Sequence, residues 1–206
     1  MAVRAARGYP QAVSGMREPC EAPSALLESA GVVLESAGRS LGITVLNKAL
    51  FLLDVQSLLN TGSTATGATR YVALKAGPVV ESYSDRLVGE LERLAIAMQD
   101  DDDPTFKPVT LLRPVKPKFL VEEKLELARR VGKWVRGKTA TELSTYLHQN
   151  PGWIEAWRGG DGQGDEINLR IAMQQLLDDD PWLKEPLNDE ERTAFAEPDG
   201  QNLVDW

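Results

Sequence analysis

Apolar residues recur at intervals of three and four along much of this chain, and that rhythm predicts mostly helices. From Ser24 to Ala37 a Ser N-cap precedes apolar positions at Leu26, Leu27, Ala30, Val33, Leu34 and Ala37, which predicts a first helix. From Ile43 to Leu59 the segment is apolar nearly all round, the mark of a helix packed on several sides, and it is expected at the centre of the fold. Asn47 and Asp54 are seven residues apart on it, so they lie within about 20° of each other, on the stripe that also carries Phe51 and Leu58. Asp54 is therefore expected to be buried. A buried carboxylate needs hydrogen bonds or a cation, and the candidates are amides of the turn at 62–68, Tyr71 or Lys48.

Downstream the period changes. Thr69 to Lys75 reads as a strand, and Phe106 to Val115, despite Pro108 and Pro114, reads as edge strands; together they suggest a small antiparallel sheet. Between them Gly77-Pro78 is read as a helix start, since Pro in the first turn gives up only an N–H that is unpaired anyway. Val80, Tyr83, Leu87, Leu91, Leu94 and Met98 form the stripe of that helix, which stops at Asp100-Asp101-Asp102-Asp103-Pro104. Adjacent carboxylates on a turn do not converge on one ion, so the acidic run reads as a solvated turn. Val121 to Arg136 begins with Glu122, Glu123 and Glu126 and ends with Arg129, Arg130, Lys133 and Arg136, each sign complementing the helix dipole. Thr139 and Glu142 form a capping box for a helix with Leu143 and Leu147 inward, ending at Asn150-Pro151. Pro151 opens a short helix with Trp153 and Trp157, and further helices are expected at 167–177 and 188–196. The pattern as a whole is α+β and mainly helical, a helical bundle around a central buried helix with a small antiparallel β-sheet.

Charge adds an asymmetry. The formal charge of −8 comes from 31 acids and 23 bases, and residues 178–206, with ten acids and two bases, hold the entire surplus. Such a segment repels nucleic acid and favours a basic partner at long range; its bland reading is a solvated tail. Its apolar residues, with Trp182, Phe195 and Trp206 foremost, are candidate partner anchors. Residues 1–23 carry Arg4, Arg7 and Arg17 without the apolar core of a signal peptide, and read as a flexible tail or as sequence upstream of a shorter protein. No apolar run approaches the roughly 20 residues of a membrane span, and the single Cys20 excludes an intrachain disulfide, so a cytoplasmic location is expected.

Catalytic and metal chemistry find little to work with. One histidine and one cysteine exclude His/Cys zinc clusters, there is no G-x-S-x-G elbow, and no carboxylate pair stands out by its spacing. His148 near Trp153 reads as a structural residue. The stretch Gly159-Gly160-Asp161-Gly162-Gln163-Gly164-Asp165 lacks the Gly-Lys-Ser/Thr of a phosphate loop and reads as a mobile loop. Thr139 to Arg158 can be drawn as helix, turn, helix, the shape of a DNA-reading unit. Yet Gln149 to Asp161 contains Arg158 as its one base, where phosphate contacts demand several. No catalytic residue, metal or cofactor is predicted.

Two ordered blocks carry a resemblance. Lys48, Phe51 and Asp54 on a helix, Gly62, Thr66-Gly67, Tyr71 on a strand and Gly77-Pro78 make the first; Thr139-Ala140-Thr141-Glu142-Leu143, His148 and Trp153 make the second. In this order they resemble the Panacea domain, or SocA-like antitoxin domain, of bacterial and phage toxin–antitoxin systems. The resemblance covers roughly 41–158 and departs at Phe51, where the family usually has Tyr. It implies a non-enzymatic antitoxin that neutralises a cognate protein toxin, expected to be encoded by the adjacent gene, through direct protein contact. The alternatives are a DNA-binding repressor using 139–158 and an adaptor delivering the toxin to a protease. It also implies structural or partner-binding roles for Lys48, Asp54, Gly62, Gly67, Tyr71, Gly77, Pro78, Glu142, His148 and Trp153. The expected layout is a tail at 1–23, the Panacea domain at 24–158, and a Gly-rich loop with an acidic extension at 159–206.

Overall fold

The computed structural model describes residues 18–38, 40–67, 69–100 and 107–178. A short strand β1 (Cys20–Glu21) leads into α1 (Ala25–Ala37), whose first turn is capped by Ser24 accepting the Leu27 N–H. Strand β2 (Leu41–Gly42) runs directly into α2 (Ile43–Thr61), buried from Val45 through Ser57 on every face, as an apolar helix without a polar side must be. Then follow β3 (Tyr71–Leu74), β4 (Gly77–Val80), a π-helical turn over Ser84–Gly89, α3 (Glu90–Arg93), β5 (Ala97–Gln99), β6 (Pro108–Leu111) and β7 (Val115–Lys116). The described chain finishes with α4 (Glu122–Val135), α5 (Ala140–Leu147), α6 (Pro151–Trp157), a 3-10 turn at Arg158–Gly160, α7 (Leu169–Ala172) and α8 (Gln174–Asp178).

Helix α2 is the hub: α1, α4, α5, α7 and strand β4 all pack on it. Helix α1 lies closely along α4, and the contact depends on Gly132. A Cβ there would come within 2.6 Å of the Val33 carbonyl oxygen and 2.7 Å of Ser36 Cβ. Where the chain turns into α4, Glu28 of α1 is fully buried and accepts the amides of Lys118, Phe119 and Leu120, each at 2.9 Å. The mainly helical α+β class is the one the periodicity predicts.

The strand pairing differs from the expected single sheet. The run at 69–75 and the run at 106–115 belong to separate sheets: β3 pairs with β4, while β6 is the middle strand of β2-β6-β5, not an edge. Pro108 is tolerated there because it is the first residue of its strand. A third pairing, β1 with β7, is parallel.

A second correction concerns Gly77-Pro78, which does not open a helix. These residues form β4, antiparallel to β3 with Ala73 opposite Pro78 and Leu74 opposite Gly77. Proline fits because Ala73 turns its own N–H and C=O away from β4, toward residues 164–165, so no ladder bond is asked of position 78. Val80 is thereby a strand residue, Met98 sits 40 % exposed on β5, and only the middle of the predicted stripe, with Leu87 and Leu91 fully buried, is helical.

The Gly-rich stretch is likewise not the loose loop expected. The Gly164 N–H donates to the Ala73 carbonyl at 2.8 Å, the Ala73 N–H to Asp165 at 2.9 Å and the Ile167 N–H to Tyr71 at 2.8 Å, so residues 164–167 run along the outer edge of β3. Gly162 is required for the approach, since a Cβ would lie 1.7 Å from the Ala156 carbonyl oxygen. The helix expected at 167–177 is broken at Met173 into α7 and α8. Residues 1–17, the acidic turn at 101–103 and the helix expected at 188–196 lie outside the described residues. Among the described residues, no helix is long and apolar enough to cross a membrane.

Candidate functional site

The family-motif residues build two polar knots, one at each end of the β3–β4 hairpin. At the first, Asp54 projects from α2 with no exposed surface. Its carboxylate accepts the backbone N–H groups of Ala65 and Thr66, both at 2.8 Å, the Tyr71 hydroxyl at 2.8 Å and the Thr66 hydroxyl. The turn that delivers these donors starts where α2 ends. Gly62, at φ 73°, takes the left-handed conformation that closes a helix and donates its N–H to Leu58. Gly67 lies in the same turn, its carbonyl accepting the Thr64 hydroxyl. Burial raises the Asp54 carboxyl to about 6, against the pull of the four donors. Burial first, and then the charge of Asp54, lift the Tyr71 phenol well above its ordinary value. The ring of Phe51 meets Tyr71 edge-on at 5.4 Å, so the departure from the family's Tyr preserves the aromatic packing.

The second knot surrounds the hairpin turn. Lys48 is fully buried beneath it, its Nζ without a hydrogen-bond partner among the described residues, and burial lowers the amine to about 8. Gly77 leaves room for that side chain: a Cβ at this position would stand 3.2 Å from Lys48 Cε. From the other side Trp153 of α6 donates its indole N–H to the Leu74 carbonyl at 3.2 Å, and Ser144 of α5 donates its hydroxyl to Ala76 at 3.0 Å. His148 stacks on Trp153, 4.4 Å between ring centres, and its Nε2 is a buried atom without a hydrogen-bond partner among the described residues. Trp157 continues the stack at 5.5 Å. Pro78 is buried in β4, and Asn47, one turn above Phe51 on α2, accepts the Val80 N–H at 2.9 Å.

Glu142 stands apart from both knots. It caps α5, accepting the Thr139 N–H and hydroxyl at 2.7 Å each, and the backbone hydrogen bond foremost holds its carboxyl below the usual range. The candidate partner anchors Trp182, Phe195 and Trp206 lie outside the described residues.

Several ties were not anticipated from the sequence. Glu28 carries no sequence signal that sets it apart from Glu35, the other charged residue of α1. Asn150 is legible as a cap before Pro151, but its second role is not: its Nδ2 donates to Ala172 at 2.9 Å and to Gln175 Oε1 at 2.8 Å, fastening α7 and α8 to α6. The unit formed by α5 and α6 has the outline of a helix-turn-helix. On α6, however, Trp153 and Ala156 are buried, and the Arg158 that follows is engaged by Asp165 at 2.5 Å. Among the described residues no group of three or more His, Cys, Asp or Glu side chains is placed to hold a metal ion. The arrangement as a whole is a set of hydrogen-bonded and stacked ties that fix one hairpin against three helices.

Residues 46–154 match the family described as antitoxin SocA-like, Panacea domain. No curated protein and no solved structure matches the chain.

Proposed function

Because this chain belongs to the SocA-like, Panacea-domain antitoxin family, we propose that it neutralises a cognate protein toxin by direct protein–protein contact. The family match over residues 46–154 carries this reading, and both knots described above fall within those bounds or on their immediate flank. In this reading Asp54, Gly62, Gly67, Tyr71, Gly77, Pro78, His148 and Trp153 hold the hairpin and its helices in one arrangement, Lys48 fills the space beneath the hairpin turn, Glu142 starts α5 correctly, and the surface so presented covers the toxin. The protein acts by occupancy and performs no chemical step. The domain at 24–158 supplies the neutralising unit, and the acidic segment beyond it selects the toxin, with Trp182, Phe195 and Trp206 as apolar anchors among its carboxylates.

The toxin is expected from the adjacent gene. Expression of that gene alone should arrest growth; co-expression with this protein should restore growth and yield a complex that survives purification. Restored growth with neither a complex nor faster toxin decay would overturn neutralisation by contact. Restored growth with faster toxin decay and no stable complex would replace it with delivery to a protease.

A further inference from the structure

The outer face of α4 is acidic over its first turn, at Glu122, Glu123 and Glu126, and basic over its C-terminal half. From Leu127 to Thr141 the chain has five bases, Arg129, Arg130, Lys133, Arg136 and Lys138, and no acid. Arg129 is engaged by Glu122 at 3.3 Å and Glu126 at 3.4 Å. Arg130, Lys133 and Arg136 are exposed, and among the described residues none of them is in an ion pair. Their spacing of three places them along one side of the helix. At its far end Lys138 lies 5.0 Å over the ring of Trp134, which meets Tyr146 of α5 edge-on at 6.2 Å.

The last described helix, α8, is tied to α5 at the residue that meets Trp134 of α4. Gln175 of α8 donates its amide to the Tyr146 carbonyl at 2.9 Å, on the α5 residue that touches Trp134. Beyond residue 178 come 28 residues, 179–206, with nine acids and two bases. Fully extended they span up to about 90 Å, so reach does not limit them. A tethered segment also competes at an effective concentration of about millimolar, which a free acidic molecule rarely meets.

We propose that residues 179–206 dock on the basic face of α4 in their own chain, carboxylates against Arg130, Lys133 and Arg136. Charge complementarity, the chain's exit beside Tyr146 and the tether favour this occupant over a second copy. Nucleic acid would face nine tethered carboxylates at the same surface. The consequence for recognition is a competition: a basic toxin takes the acidic segment from α4, so the two states of the segment, on α4 and on the toxin, exclude each other.

Zero-length carbodiimide coupling of the full chain tests this, because it joins a carboxylate to a lysine amine only in direct contact. Cross-linked peptides joining Lys133 or Lys138 to residues 179–206 are expected in the monomer band at low salt. They should be lost in about 1 M salt, where screening acts within about 3 Å. They should be lost as well in the Arg130→Glu/Arg136→Glu variant, which keeps both reporter lysines and alters only exposed residues. Links found only between isotopically distinct copies would assign the face to a second molecule and overturn the proposal. Links elsewhere, none at all, or links unchanged by salt and in the variant would overturn it too.

Discussion

Asp54 and Lys48 are two buried ionisable groups on one helix with opposite fortunes. Asp54 has four donors; replacing it with Ala leaves the Ala65 and Thr66 amides and the Thr66 and Tyr71 hydroxyls unmatched, and should cost about 1–3 kcal/mol of stability in urea unfolding. A midpoint equal to wild type would remove this tie from the fold. Its pH signature follows from the raised carboxyl. The group titrates at about 6 folded and near 3.8 unfolded, so the folded state binds the extra proton between those values. Its contribution is full below 3.8, falls as pH rises toward about 6, and is flat above. Asp54→Asn should abolish that fall, and an unchanged slope would assign it to another group. Lys48 has no hydrogen-bond partner among the described residues, so Lys48→Met should raise stability at neutral pH by about 1–3 kcal/mol. Its amine titrates at about 8 folded against 10.5 unfolded, so wild-type stability should climb between those values while the Met variant stays level. A less stable Met variant at neutral pH would mean that the ammonium is held by a partner. The burial of Asp54 was legible from its place on an apolar stripe, and two of the three candidate donors, the turn amides and Tyr71, are the ones used. The isolation of Lys48 was not legible, because no local pattern reveals which hairpin will cover a helix.

Among the elements, the helices were readable because their caps and periods are local: Ser24, the Thr139–Glu142 box and Asn150-Pro151 each mark a start that the structure uses. The β3–β4 hairpin escapes local sequence patterns for a nonlocal reason. Gly-Pro before an apolar stripe suits a helix start, but pairing with Tyr71–Leu74 and the Asn47 side chain that takes the Val80 N–H decide for a strand. Gly77 is where that decision is enforced. At φ 112° it occupies backbone space that a side-chain-bearing residue rarely adopts, over Lys48. Gly77→Val should therefore lower the free energy of unfolding by about 1–3 kcal/mol, with toxin neutralisation falling only as far as folding does. A variant as stable as wild type that fails to neutralise would instead put the turn in contact with the toxin.

For the molecule as a whole, the role proposed for the acidic segment is partner choice. Truncation after Leu177 should leave a cooperatively folding protein with weaker neutralisation at low salt, the gap to the full chain narrowing as salt rises. Equal neutralisation at low salt would remove the segment from recognition, and loss of cooperative folding would make it part of the core. Sequence patterns place the limit of the compact unit near residue 158, because Gly-rich composition suggests a linker. The backbone bonds from Gly164, Asp165 and Ile167 to β3 are invisible to composition, since they depend on carbonyls and amides that every residue carries.

Those three backbone bonds bear on how the chain can be cut. Tyr71 and Ala73 offer one side of β3 to residues 164–167 and the other side of the strand is taken by β4, so the chain itself occupies both flanks. A protein ending at Arg158 would present β3 with a vacant row of amides and carbonyls, a template on which the strand of another molecule can align. Such a fragment should form oligomers with concentration, and its self-association would be mistaken for toxin binding in any assay that reads complex size alone.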